Sequence, residues 1–166
     1  MDSHNRNSND FRIVNGVQVP SKICRLTNLQ SVSVIEARDD LIRQIRSMTQ
    51  LTSLGISNVK AADEMDLCDS IQGMTLLRRL LIMVTNEEET LRMDALSSPP
   101  PNLQSLVLVG KLEKVPQWFS SLEKLIFLYL HWSRLEEDVL SQIAALPNLV
   151  RLIEAANIIE TIRAEK

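Results

Sequence analysis

The sequence predicts an α/β solenoid: a short, curved parallel sheet of about six strands with helical or irregular returns on the convex side. Three observations carry that expectation. An apolar frame, I-x-x-L-x-x-L-x-x-L-x-L, recurs six times along the 166 residues. Its third position falls at Leu29, Leu51, Leu77, Leu103, Leu125 and Leu149, in steps of 22, 26, 26, 22 and 24 residues, a period at which one supersecondary unit repeats. The filling is aliphatic, with 39 leucines and isoleucines against 4% aromatics.

The first three copies are Ile23-Leu26-Leu29-Val32-Val34, Ile45-Met48-Leu51-Leu54-Ile56 and Ile71-Met74-Leu77-Leu80-Ile82. Ser97 and Pro100 break the fourth before Leu103, Leu106 and Leu108 restore it. The fifth is Phe119-Leu122-Leu125-Leu128-Leu130, and the sixth runs Ile143-Leu146-Leu149-Leu152 to Glu154. Of the 30 frame positions 27 are apolar, where a 45% apolar composition would put 13 or 14. The steps lie within the range of leucine-rich repeats. The L-x-L end of each copy alternates as a strand does, which predicts strands near 31–35, 53–57, 79–83, 105–109, 127–131 and 151–155. Each return must carry the chain back across the core, so the strands are parallel neighbours, stacking over about 24 Å. No single repeat can bury its leucines alone.

Two returns read as helices: Asp39–Met48, with Leu41, Ile45 and Met48 at helical spacing, and Glu136–Leu146, with Val139, Ile143 and Leu146, where Ser133 is available as a cap and Glu136-Glu137-Asp138 complements the helix dipole. The return from Val84 to Asn102 holds Glu87-Glu88-Glu89 and Pro99-Pro100-Pro101, which predicts a solvated loop, a short helical turn near Leu91–Leu96 and an extended run into the strand. Residues 1–10 are a polar tail without apolar pattern, expected to be disordered, and residues 11–166 form one repeat domain. After Leu152 two readings stay open: a capping helix begun by Asn157 and Glu160 and carrying Ile158, Ile159 and Ile162, or a loop and strand leading to another repeat.

Composition removes several classes of function. A net charge of −3 and a pI near 5.4 argue against nucleic-acid binding. No stretch reaches the eighteen apolar residues of a membrane span, and the start is polar, so the chain reads as cytoplasmic. Cys24 and Cys68 form no Cys-x-x-Cys and suit buried small hydrophobes in a reducing compartment. The only histidines are His4 and His131, without a Cys or carboxylate partner fixed by sequence. No catalytic residue, metal ligand or cofactor site is expected.

Function in such a fold lives on the concave face, where strand residues flanking the inward leucines project. The frame places Ser31, Ser33, Ile35, Ser53, Gly55 and Ser57 there from the first two strands. From the third and fourth come Arg79, Leu81, Met83, Ser105, Val107 and Val109, and from the last two Phe127, Tyr129, His131, Arg151, Ile153 and Ala155. The surface grades from small and polar to broad and apolar. Arg79, Leu81, Met83, Val107, Val109, Phe127, Tyr129, His131 and Arg151 are the candidate protein-docking residues. Trp118 and Trp132 suit convex packing or turn anchoring better than docking.

Residues 16–37 (GVQVPSKICRLTNLQSVSVIEA), 48–56 (MTQLTSLGI) and 99–152 resemble the leucine-rich-repeat region of plant intracellular disease-resistance receptors, nearest the coiled-coil class with an NB-ARC nucleotide-binding domain. The element Gly110-Lys-Leu-Glu-Lys-Val-Pro-Gln-Trp-Phe119, followed by a repeat, is the most specific part. The resemblance implies a non-enzymatic module that senses a pathogen effector or a modified host protein and restrains the receptor's NB-ARC and coiled-coil domains. The alternative is a free-standing intracellular scaffold for signalling proteins. Gly110-Lys111 is followed by Leu112, so no phosphate-cradling P-loop forms in these residues. Asn157, Ile159 and Ala164 stand where the family shows an aromatic, a glycine and a phenylalanine. The asparagine that follows the strand in the family is displaced or absent in most copies, which predicts less regular turns.

Overall fold

The three-residue spacing of the apolar frame is the spacing of a 3-10 turn, in which residues i and i+3 eclipse and line one edge. The computed structural model, which describes residues 16–38, 40–154 and 159–162, has that hydrogen-bond pattern in nearly every coil. The N–H of Met48 donates to Ile45 and that of Leu51 to Met48 (2.9 and 3.3 Å); Met74 and Leu77 donate likewise to Ile71 and Met74 (2.9 and 3.2 Å). The same pair recurs at Leu122–Leu125 and at Leu146–Leu149. In the fourth coil Pro100 has no N–H to give, yet it is buried and its carbonyl accepts from Leu103 at 3.2 Å. Leu96 is buried there while Ser97 stays exposed.

Seven strands form one sheet in sequence order: β1 Ser31–Glu36, β2 Ser53–Val59, β3 Arg79–Val84, β4 Ser105–Val109, β5 Phe127–His131, β6 Arg151–Glu154 and β7 Ile159–Ile162. The first six are parallel to their neighbours, as a curved solenoid requires, and β7 lies antiparallel on β6. The seventh strand disposes of the capping-helix reading, and its direction differs from that of a further repeat. The polar tail, residues 1–10, lies outside the described residues.

The coils are indexed by a repeated contact just ahead of each strand. The carbonyl of Gln30 accepts from Thr52 and Ser53, that of Thr52 from Arg78 and Arg79, and that of Arg78 from Gln104 and Ser105. Gln104 does the same for Ile126 and Phe127, and Ile126 for Val150 and Arg151. Asparagines strengthen the same margin: the Asn102 amide donates to the Thr75 carbonyl (3.0 Å) and the Asn148 amide to the Glu123 carbonyl. These two asparagines stitch the turns from ahead of the strand rather than after it.

β1 departs from the frame. A register shift between Val32 and Val34 leaves Val34 opposite Gly55 and Ile35 opposite Ile56, so Ile35 enters the core at 4% exposure. Ile35 therefore leaves the concave set and Val34 replaces it; a one-residue bulge exchanges the two faces of a strand. Leu26 is 56% exposed, and on that side of β1 the segment around Val17 pairs with the strand at Ile35.

Among the described residues three α-helices occupy the returns: α1 Leu41–Gln44, α2 Glu64–Gln72 and α3 Glu137–Ala144. α1 continues as a 3-10 turn through Ile45–Ser47, a tighter form of the expected helix. α3 starts one residue later than expected, with Glu137 and Asp138 in its first turn. Ser133 does not cap it. α2, the longest, escapes the sequence reading because Met65 is exposed and Ser70 is buried, which blurs its apolar stripe; the Ser70 hydroxyl donates to the Ile42 carbonyl at 2.7 Å and ties α2 to α1. In the fourth return the expected turn near Leu91–Leu96 is the single one closed by Met93 and Leu96; Thr90 bridges Lys111 ahead of it, and Trp118 Nε1 donates to the Met93 carbonyl at 2.8 Å. That makes Trp118, 5% exposed, a convex anchor. Gly110 permits the close approach: a Cβ there would stand 2.9 Å from Leu91 Cβ and from both Val84 methyls.

The sixth coil puts Glu154 where the frame calls for leucine, opposite Leu130 and 8% exposed. Its Oε1 accepts from the buried Ser133 hydroxyl at 2.7 Å. The pair should show strong non-additivity. Ser133→Ala or Glu154→Leu alone strands one polar partner in the core, at a cost of about 1–3 kcal/mol, whereas Ser133→Ala with Glu154→Leu recovers most of that loss. Urea unfolding of all four chains measures the coupling; additive losses would mean that the bond contributes nothing.

Candidate functional site

The strand register sorts the concave face into three rows. At the strand starts Ser31, Ser53, Arg79, Ser105, Phe127 and Arg151 stand side by side. In the middle row Val34, Gly55, Leu81, Val107, Tyr129 and Ile153 follow one another, and toward the strand ends Met83, Val109 and His131 align. All nine candidate docking residues therefore lie on one face. Their exposure divides them: Arg79 and Arg151 are exposed, Leu81, Phe127 and His131 are half-buried. Met83, Val107, Val109 and Tyr129 are buried at 3%, 6%, 1% and 7%, and form a second apolar cluster with Leu81, Phe127, Trp132 and Ile153. That burial is tighter than an open docking strip would have, since large side chains on neighbouring strands close over one another.

Arg151 lies over the Phe127 ring, 5.8 Å from its centroid, a cation–π placement. Tyr129 and His131 stack at 6.1 Å, and His131 faces Trp132 at 5.1 Å. Trp132 leaves β5 with φ 61, a conformation unusual for a bulky side chain, and packs against both the main core and the concave cluster. Asn58 takes a similar φ of 57 at the matching frame position. Its amide donates to Glu36 Oε1 and the Ala37 carbonyl, and its Oδ1 accepts from Thr85, so it joins three successive coils.

A shallow hollow of about 270 Å³ opens where small residues on β1 and β2 meet large ones on β3 to β5, with Gly55, Ser53, Arg79, Leu81, Val107 and Phe127 among its lining. Just ahead of Phe127 and Arg151 stand Ile126 and Val150, 45% and 59% exposed, which the frame reading missed. The signal was present: Gln30, Thr52, Arg78 and Gln104 are polar at the position these two occupy. A larger indentation, of about 600 Å³ between Gln18, Pro20, Arg38 and Gln44, lies off the concave face, while one of about 350 Å³ reaches that face at Met83 and Ser57.

The chemistry of these groups is that of contact. Burial pushes the Cys68 thiol up to about 12, and raises that of Cys24, so neither is a nucleophile at neutral pH. Among the described residues no three His, Cys, Asp or Glu side chains gather as a metal site would. No helix among them is long and apolar enough to cross a membrane.

A model of the family described as "Leucine-rich repeat region" matches residues 10–163. The chain belongs to this leucine-rich repeat family. Its curated relatives are plant proteins. It is 38% identical over 143 residues to "Disease resistance protein RPM1" of Arabidopsis thaliana, covering 86% of this chain and 15% of that protein. It is 27% identical over 130 residues to "Disease resistance protein Pik-2" of Oryza sativa subsp. japonica, covering 75% of this chain and 13% of that one. The chain thus spans about a seventh of the curated relatives it matches. It is a leucine-rich-repeat region similar to part of those plant disease-resistance proteins.

Burial holds the His131 pKa below its ordinary value, and its Nδ1 has no hydrogen-bond partner among the described residues. The folded leucine-rich repeat thus resists a proton that the unfolded chain accepts. Stability should be level above neutrality and fall as pH drops from the ordinary histidine range through the lowered folded value. Melting temperatures between pH 7.5 and 5.5 check this, and His131→Phe should flatten the slope; an unchanged slope would remove His131 as its source.

Proposed function

We propose that this region docks another protein through the concave face, within an intracellular immune receptor, and does so without catalysis. The observation that carries the reading is the accessible surface of Leu81, Phe127 and Ile153 around the buried Val107 and Tyr129, bordered by Arg79, Arg151 and His131. Interfaces are built in this way, with an apolar centre and a polar margin enriched in arginine and aromatics. Likeness to disease-resistance proteins supports the physiological half of the reading. The partner is then a pathogen effector, a modified host protein or the receptor's own coiled-coil and NB-ARC domains, met in the cytoplasm.

Calorimetry tests this reading. The 166-residue chain is titrated with a coiled-coil/NB-ARC segment of a receptor of this class, expressed separately. Leu81→Ser is the better probe, because Tyr129 is buried and its truncation would also disturb packing. Wild-type association weakened ~10-fold or more by Leu81→Ser, with an unchanged melting curve, is the expected result. Equal affinity of the two chains would overturn the concave-face reading. No association by a folded chain would move the assignment to a free-standing scaffold, the second reading that the same surface supports.

A further inference from the structure

We infer that the strand-start margin of the concave face binds an acidic segment of a partner protein that carries a bulky apolar side chain between its carboxylates. The inference rests on the docking role proposed above and names the chemistry of what docks. Arg79 stands exposed at the centre of the strand-start row, between Ser53 and Ser105, and its guanidinium makes no ion pair or hydrogen bond among the described residues. Arg78 is exposed beside it, and Arg151 closes the row over Phe127. Across the strand-start positions and those just ahead of them the charged residues are arginines alone.

This local positive charge sits in a chain of net charge −3, so it is held at one place rather than spread as a general basic surface. A guanidinium with five donors and no partner matches a carboxylate bidentately. Directly against Arg79 lies the hollow floored by Gly55 and walled by Leu81 and Phe127. Ile126 and Val150, joined by the Val150 N–H to Ile126 carbonyl bond, add exposed apolar surface just ahead of Phe127 and Arg151. An arginine over an apolar recess calls for a carboxylate beside a large hydrophobic side chain. A phosphate backbone would satisfy the arginines and leave this apolar area in contact with water.

The test is fluorescence anisotropy with a labelled peptide of about 12 residues, alternating Asp or Glu with Leu and a central Phe, against a twin in which every acid is Lys, a length that in extended form overreaches the stack of about 24 Å. The acidic peptide should bind ~10-fold or more tightly than its twin and weaken as salt is raised. Arg79→Glu, at an exposed position, should reverse the preference, which a purely structural role for Arg79 could not produce. Ile126→Ser with Val150→Ser should weaken the acidic peptide several-fold. Equal binding of the twins, binding of neither, or an Arg79→Glu chain that keeps the wild-type preference would each overturn the assignment. So would a dimer in size-exclusion light scattering that Ile126→Ser with Val150→Ser dissociates, because a second copy would then occupy the margin. Peptide failure with intact, Leu81-dependent association to the NB-ARC segment overturns the acidic-segment assignment alone; loss of that association removes the docking reading beneath it.

Discussion

One carbonyl ahead of each strand accepts two amide protons from the coil that follows, and the stack depends on that contact. Gln30, Thr52, Arg78, Gln104 and Ile126 perform it in turn, whatever their side chains. Because the contact belongs to the backbone, it fixes the register of each strand against the last without constraining which residue stands there. The leucines then need only be apolar and correctly spaced, and the outward positions are released to vary. A solenoid gains stability from nearest neighbours alone, so a fixed margin and a free face coexist in every coil.

What the sequence made legible was whatever has a period. Spacings of three report 3-10 turns and spacings of two report strands, and both survive single exceptions such as Pro100, whose carbonyl still serves. Identifying the concave rows required only the frame, and all nine expected outward positions on β3 to β5 share one face. Aperiodic features were hidden. β1 carries Val32, Val34 and Ile35, apolar at both parities, so nothing in the pattern announces the bulge that turns Ile35 inward. α2 was hidden for the opposite reason: its buried Ser70 and exposed Met65 invert the usual polarity, and only the Ile42 carbonyl, distant in sequence, makes the serine's burial tolerable.

The concave face also shows how packing and recognition compete for the same side chains. Met83, Val109 and Tyr129 are large enough to shelter one another, and in doing so they become a minor core. Residues at the margins, where a neighbour is small or charged, keep their surface: Leu81 beside Gly55, Phe127 beside Ser105. Apolar composition alone therefore overstates the area offered to a partner. The area that remains is set by differences in size between adjacent strands, and it collects toward the strand starts.

Trp132 and Trp118 differ in a way that gives the molecule its own optical gauge. Trp118 is sealed in the convex returns with its N–H held by the Met93 carbonyl. Trp132, half-buried and in left-handed backbone, touches both the main core and the concave cluster. Any event that shifts the packing of the concave side chains alters the polarity around one indole and leaves the other unchanged. The emission of this chain thus carries a constant component and a responsive one, and the responsive fluorophore is part of the wall between the two faces of the sheet.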